Sequence, residues 1–157
     1  AISAEGIPEY VITGITPSTV DFSGRMIEVS PGCRWMEPHN IQCPGKGQVN
    51  WSLHTTAEEA SEALEQQIYY TRTFKQAELM SEEEVPVIFE GVPLMARKMV
   101  YHIKMPKLLM GGSNILIIYY VSTEVRGNHL HCVMSFYDTD ASPGGLAPLV
   151  KQIMQLR

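Results

Sequence analysis

Residues 115–137 read ILIIYYVSTEVRGNHLHCVMSFY, and this stretch decides the fold. Residues 115–124 are apolar at most positions and rich in β-branched and aromatic side chains, which is typical of a strand covered on both faces. A turn at Arg126-Gly127-Asn128 follows, and residues 129–137 then place alternate apolar side chains on one face. The sequence therefore predicts an antiparallel hairpin inside a sheet.

Four more strands are predicted from alternating apolar residues or from short runs bounded by turn residues. They cover residues 25–29, 48–54, 85–90 and 94–104. Pro86 lies near the start of the third strand, which favours a sheet edge there. The preceding segment, Ser81-Glu82-Glu83-Glu84, carries three adjacent glutamates, and we interpret it as a charged loop.

A long amphipathic helix is predicted over residues 56–76. Thr56 and Glu59 have the spacing of a capping box, in which side chains satisfy the free amides of the first turn. Apolar residues then recur at steps of three and four, which builds one stripe along the helix. The stripe consists of Ala57, Ala60, Leu64, Ile68 and Thr71.

A second helix is predicted over residues 146–156, with Pro148 tolerated in its first turn. Its apolar stripe consists of Leu146, Leu149, Val150, Ile153 and Leu156. A sheet whose central strand is apolar on both sides needs cover on each face, and two amphipathic helices supply it. The predicted fold class is therefore α+β, an α/β/α sandwich with an antiparallel sheet flanked by helices.

The chain has 157 residues, a length that suits a single domain. We predict one α+β domain over residues 25–157, preceded by an N-terminal extension over residues 1–24 with a candidate short strand at Tyr10-Val11-Ile12. The net charge of −5 argues against binding to nucleic acid or to an anionic membrane surface, because both select basic proteins. No apolar run reaches the roughly 20 residues of a membrane-spanning helix, so no transmembrane segment is expected.

The order of these elements resembles the PsbP-like superfamily. A strand at residues 48–54 is followed by the capped helix at 56–75, and the strands of 115–137 lead into the helix at 146–156. The superfamily includes extrinsic photosystem proteins, a Ran-binding import factor and small bacterial envelope lipoproteins. The resemblance covers about residues 25–157 and implies a PsbP-like fold.

Two segments are similar in particular to uncharacterised secreted proteins of Bacteroides-type bacteria. They are VIFEGVP at residues 87–93 and CVMSFY at residues 132–137. The superfamily has no shared catalytic motif. The resemblance therefore implies a non-enzymatic binding or accessory role in the cell envelope or outside the cell, with no catalytic residue and no cofactor.

Two of the three cysteines are candidates for a disulfide. Cys33 and Cys43 lie next to two Pro-Gly turns, and neighbouring antiparallel arms would bring them within bonding range. A bridge would indicate an oxidising compartment, periplasmic or extracellular, with the protein either free or lipid-anchored. The alternative is a cytosolic protein with two unpaired thiols. Cys132 alternates with apolar neighbours and is interpreted as a small buried residue.

The segment between Cys33 and Cys43 is the predicted partner-binding surface. Arg34, Trp35, Met36 and His39 together have the composition of binding hot spots. A disulfide would hold them in a rigid loop and so lower the entropy cost of binding. The alternative is that the Trp35 ring packs into the core. We therefore expect a protein that binds an unidentified protein partner.

His129 and His131 carry the alternative function, a small metal-dependent enzyme. Two imidazoles two residues apart on one strand face hold zinc or copper only if a third ligand joins them. The candidate third ligands are His54, His102, Asp138 and Asp140. The simpler interpretation is two polar residues on a half-solvated strand, and no metal site is assigned on this basis.

Overall fold

The computed structural model describes residues 19–29, 31–37, 39–73, 76–106, 108 and 112–157, with the backbone alone for Met36 and Glu37. The strands are β1 Thr19–Phe22, β2 Arg25–Glu28, β3 Arg34–Glu37, β4 Asn40–Cys43, β5 Gly47–His54, β6 Ala77–Phe89, β7 Val92–Ile103, β8 Ile115–Val125, β9 Asn128–Tyr137 and β10 Met154–Leu156. The helices are α1 Ala57–Thr73 and α2 Pro148–Lys151, and Asp138–Asp140 forms one 3₁₀ turn. The protein is mostly β, and it is α+β only in the sense that one main helix packs against the sheet.

Eight strands form one antiparallel sheet in the order β10-β6-β7-β8-β9-β5-β4-β3, curled into a half-barrel. The predicted hairpin lies inside this sheet, where β8 and β9 pair Tyr119 with Met134 and Val121 with Cys132. The prediction of an antiparallel sheet built around this hairpin is therefore confirmed. The predicted strand at Tyr10-Val11-Ile12 lies outside the described residues.

Helix α1 covers one face of the sheet, as predicted. The backbone N–H of Glu59 donates to Thr56 Oγ1 at 3.1 Å, while the Glu59 carboxylate accepts from the N–H of Thr55 at 3.2 Å. Ala60, Leu64 and Ile68 are the buried residues of the helix. On the sheet side, the apolar cluster under α1 consists of Met99, Tyr101, Ile103, Ile118, Tyr120 and Val133.

The predicted helix over residues 146–156 is wrong, and with it the predicted α/β/α sandwich, because the sheet packs against one main helix. Helix α2 ends at Lys151, and residues 154–156 form β10, which pairs with the end of β6. The predicted stripe is buried at Leu149, Val150 and Ile153, but a short turn followed by a strand buries the same residues. Hydrogen bonds at both ends of β10 hold it beside β6: the N–H of Glu90 donates to the Ile153 carbonyl, and the N–H of Arg157 donates to the Pro86 carbonyl.

The second face of the sheet is covered without a long helix. Strands β1 and β2 form a separate hairpin whose buried side chains, Val20, Phe22 and Ile27, belong to the main core. Residues 146–154 complete this layer. Strand β1 falls within residues 1–24, and it pairs with β2 across that predicted boundary.

The predicted loop at Ser81–Glu84 is also wrong, because these residues lie inside strand β6. Glu82 pairs with Met99 and Glu84 with Arg97 of β7. Residues 78–84 are exposed, so they carry no apolar alternation that could reveal the strand. Backbone pairing with β7, and not side-chain burial, holds this half of β6 in the sheet.

Three hairpin turns meet at one end of the molecule. Ser23, Glu90 and Arg126 have φ values of 48°, 48° and 47°, and each precedes a glycine of positive φ, the conformation of tight two-residue hairpins. The Glu90 side chain is only 2% exposed and pairs with both Arg25 and Arg126. Arg126 also donates to the carbonyls of Phe22 and Ser23, which ties the β1–β2 hairpin to the sheet.

Candidate functional site

A disulfide joins Cys33 and Cys43 and closes the hairpin of β3 and β4. Strand β3 pairs with β4 alone, so among the described residues it is the last strand of the sheet on that side. Both cysteines are buried. We call this outer border of β3, together with the turn at His39, the β3 edge.

The structure brings three of the four predicted partner-binding residues to the β3 edge, but it divides them between the two faces of the sheet. Arg34 is exposed. Trp35 pairs with Ile41 on the face of the main core and is half-buried against that core. His39 is exposed, and its ring stacks on Trp51 with centroids 5.1 Å apart. The Met36 side chain lies outside the described part of the structure.

The N-terminal half of β6 is a second surface, which sequence reasoning missed. On its outer side β6 pairs with β10 only at Val87–Phe89, and the Pro86 carbonyl accepts from the N–H of Arg157. Within the described part of the chain, no strand pairs with the outer border of residues 77–85. A signal did exist, because the predicted strand 94–104 is nearly twice as long as its predicted partner, 85–90.

We call this border the acidic edge and define it by residues 77–85 and the side chains of Glu78, Glu82, Glu83 and Glu84. These glutamates are exposed. Glu82 forms an ion pair with Arg72 of α1. Among the described residues, Glu83 and Glu84 have no ion-pair partner, since the nearby Arg97 binds Glu65 at 3.0 Å.

The flank of α1 lies beside the acidic edge. On this flank, Glu65 forms an ion pair with Arg97 of β7, and Arg72 forms one with Glu82 of β6. Tyr69 lies on the same flank, because it is four residues after Glu65 and three before Arg72. Tyr69 and Tyr70 are each 64% exposed, with ring centroids 6.0 Å apart. A shallow cavity of about 610 Å³ follows the flank, lined by Ser61, Glu62, Glu65, Gln66, Tyr69 and Tyr70.

The two histidines of the metal hypothesis lie on the α1 face, but the close partners of His131 are Ser52 and His54. The Ser52 hydroxyl is within hydrogen-bonding distance of His131 Nδ1 and lies 2.6 Å from His54 Nε2. These two ring nitrogens are 3.5 Å apart. Because one hydroxyl has a single proton, it donates to one ring and accepts from the other.

The second nitrogen of His131, Nε2, is buried and has no hydrogen-bond partner among the described residues. Burial lowers the pKa of His131, and the neighbouring His54 lowers it further, because both disfavour the charged ring. His102 lies on the opposite face, where it contacts Asn114, and Asp138 contacts Ser113. Within the described ranges, no group of three His, Cys, Asp or Glu residues could hold a metal ion.

Comparison of the chain with protein families, curated proteins and solved structures finds no match. In the portion that the structure describes, no helix is long and apolar enough to cross a membrane. The candidate functional features of the molecule are therefore the two sheet edges and the cluster of His54 and His131.

Proposed function

We propose that this chain is a non-enzymatic accessory protein that binds a protein partner in the periplasm or outside the cell, either free or lipid-anchored. The observation that carries the proposal is the disulfide-closed β3–β4 hairpin at the border of the sheet. Disulfides persist in oxidising compartments and are rare in the cytosol, which supports the location. An edge strand offers backbone groups to a partner, which supports the activity.

The β3 edge has the residue types that dominate binding energy in protein interfaces. Arg34 is exposed on one face of the sheet, and Trp35 and His39 lie on the other, where part of the Trp35 ring remains exposed. A partner that lies along the edge would contact both faces. Tryptophan and arginine are enriched among binding hot spots, and the disulfide reduces the entropy that binding must remove.

We also propose a distant relationship to the PsbP-like superfamily, and to secreted proteins of Bacteroides-type bacteria in particular. The order of β5, α1 and the meander of β6–β9 supports this relationship. The β1–β2 hairpin and residues 146–154 take the place of the second helical layer.

The test of the proposed function uses capture and then measured binding. The intact protein is incubated with the extracytoplasmic fraction of its source cells, and each captured protein is purified and its affinity measured. We expect one partner whose affinity falls at least tenfold for Arg34→Ala/His39→Ala. The control is Glu58→Ala/Glu124→Ala, two exposed residues far from the β3 edge in the chain. Equal affinity of both double variants for every captured protein would exclude the β3 edge.

The metal-dependent alternative, an enzyme that uses His129 and His131, stays a hypothesis. Elemental analysis of the purified protein separates it from the binding proposal. A stoichiometric metal that is lost in His131→Gln would favour the enzyme.

A further inference from the structure

We propose that the acidic edge of β6 is a docking site for an extended, basic segment of a partner protein, which joins the sheet as a further strand. This inference shares with the proposed function only the class of activity, which is protein binding. It concerns the opposite border of the sheet from the β3 edge, and it holds or fails independently of that edge.

Among the residues that the structure describes, no strand occupies the outer border of the acidic edge. Strand β7 occupies the inner side of β6 along its whole length, and β10 occupies the outer side only at Val87–Phe89. The register shift between Leu79 and Ser81 interrupts the border near its start, and residues 81–85 are regular. In an antiparallel strand, alternate residues turn both N–H and C=O outward. The Pro86 carbonyl faces outward, so Glu82 and Glu84 do the same, and this stretch offers about four backbone hydrogen bonds to an added strand.

The charge of the acidic edge selects the occupant. Glu82 and Glu84 lie on the α1 face, opposite Met99 and Arg97, and Glu83 lies on the other face, opposite Lys98. A second copy of the chain paired here would place glutamates against glutamates, and like charges across a strand pair are destabilising. A segment with lysine or arginine would instead place cations opposite these carboxylates.

The flank of α1 extends the same preference beyond the strand. Tyr69 has a largely exposed ring on the flank of α1. The ion pair between Arg72 and Glu82 connects this flank to the acidic edge. An exposed tyrosine ring on this flank offers a basic segment a cation–π contact beside the carboxylates of the edge. Glu62 lines the adjoining cavity and adds negative charge there.

An apolar position beside the edge adds a requirement for the segment's composition. Leu79 is 38% exposed on the α1 face, opposite Tyr101. An added strand would cover this side chain with one of its own. The expected occupant therefore alternates basic residues and contains one apolar residue near the end that meets Leu79.

The experiment uses the full chain and a fluorescent peptide of alternating lysine and threonine with one valine. Binding is measured by anisotropy, and amide hydrogen exchange reports on residues 81–85. We expect slower exchange on binding at the amides of Glu82 and Glu84, which face the open border, and at least tenfold weaker affinity for Glu83→Gln/Glu84→Gln. The matched control, Glu58→Gln/Glu124→Gln, removes the same charge elsewhere and should bind within about twofold of the wild-type protein.

A second peptide separates strand addition from simple charge attraction. It has the same sequence with alternate backbone amides N-methylated, so it keeps the charge and loses the donors on one edge. We expect its affinity to fall at least tenfold. Equal binding of the two peptides, or equal binding by the two glutamine variants, would overturn the inference. A dimer in sedimentation that protects residues 81–85 without peptide would overturn it in favour of a second copy.

The outcome is independent of the β3 edge. Arg34→Ala/His39→Ala should bind the basic peptide as the wild-type protein does, because the two edges lie at opposite ends of the strand order. Failure of the peptide to bind would exclude the acidic edge as a docking site and would not affect the result for the β3 edge. Failure to capture any partner would leave the peptide result standing.

Discussion

Arg126 Nη1 donates to Oε1 of Glu90 at 2.8 Å and so joins the β8–β9 turn to the β6–β7 turn. The same carboxylate accepts from Arg25 of the β1–β2 hairpin, with 2.6 Å between Arg25 Nη2 and Oε2. The hydrogen bond that Arg25 donates to Glu90 raises the pKa of Arg25. One nearly inaccessible carboxylate therefore pairs with two arginines and holds three turns together.

Replacing Arg126 with alanine should destabilise the fold more than replacing Glu90 with glutamine. Arg126→Ala removes one of the two arginines that pair with the buried carboxylate and leaves Arg25 as its partner, and losing a hydrogen bond to a charged group typically costs about 1.5–3 kcal/mol. It also leaves the Phe22 and Ser23 carbonyls without this donor. Glu90→Gln leaves two partly exposed arginines that water can still solvate. Urea denaturation of both variants would measure the difference, and equal losses would contradict the role given to burial of Glu90.

Leu64→Ala should lower the free energy of unfolding by about 2–5 kcal/mol through lost transfer energy and a cavity. Leu64 is 8% exposed and faces the apolar cluster under α1. Glu58→Ala, on the exposed side of the same helix, serves as the control. A loss below about 0.5 kcal/mol in denaturant melts, the range of ordinary surface changes, would mean that α1 does not pack as described.

Cys33→Ser/Cys43→Ser should cost roughly 2–3 kcal/mol, because the disulfide closes a short loop and restricts the unfolded chain. In the native, unreduced protein, alkylation followed by intact mass measurement should find these two cysteines protected. Cys132 should react slowly, since it is buried and burial raises the pKa of its thiol. Rapid alkylation of all three cysteines would remove both the bridge and the support for an oxidising compartment.

Stability should fall as the pH drops below about 6.5, and His131 should account for part of the slope. The pKa of His131 is lowered in the folded state, so between that value and 6.5 the unfolded chain binds a proton that the folded chain does not. Well above pH 6.5 the His131 ring is neutral in both the folded and the unfolded chain, so it no longer makes stability depend on pH. The slope that His131 contributes is at most about 1.4 kcal/mol per pH unit. Below the folded-state pKa this slope returns to zero, because both states then bind the proton.

His131→Gln tests this assignment against its neighbours. His54 and His129 face His131 from β5 and β9, Glu124 lies on the adjoining strand, and Ser52 bonds the ring. The variant should flatten the dependence of unfolding free energy on pH between 5 and 6.5, measured by chemical denaturation at each pH. His129→Gln is the matched control and should leave most of the slope. An unchanged slope in His131→Gln would assign it to other groups.

The parts of the fold that local sequence describes were predictable. The capping residues Thr56 and Glu59 and the stripe through Leu64 define α1, because the helix period is visible within one segment. The β8–β9 hairpin follows in the same way from its turn and its apolar strands.

The errors fell where tertiary pairing decides the conformation. Glu82–Glu84 lie in a strand because β7 supplies backbone partners, and Met154–Leu156 extend along β6 because an edge was open there. No local pattern encodes either fact. For the site, neighbouring turns predicted the Cys33–Cys43 pair, whereas the contact of His131 with His54 depends on the register between β5 and β9.

The position of β5 beside β9 has a consequence for the time course of folding. Strands β6, β7, β8 and β9 pair with their chain neighbours, so this meander can form from contacts that are local in sequence. Strands β3, β4 and β5 reach the sheet only through β9, which is synthesised long after them. Non-local contacts of this kind slow folding. We therefore expect β3, β4 and β5 to join the sheet last, after the meander of β6–β9 has formed.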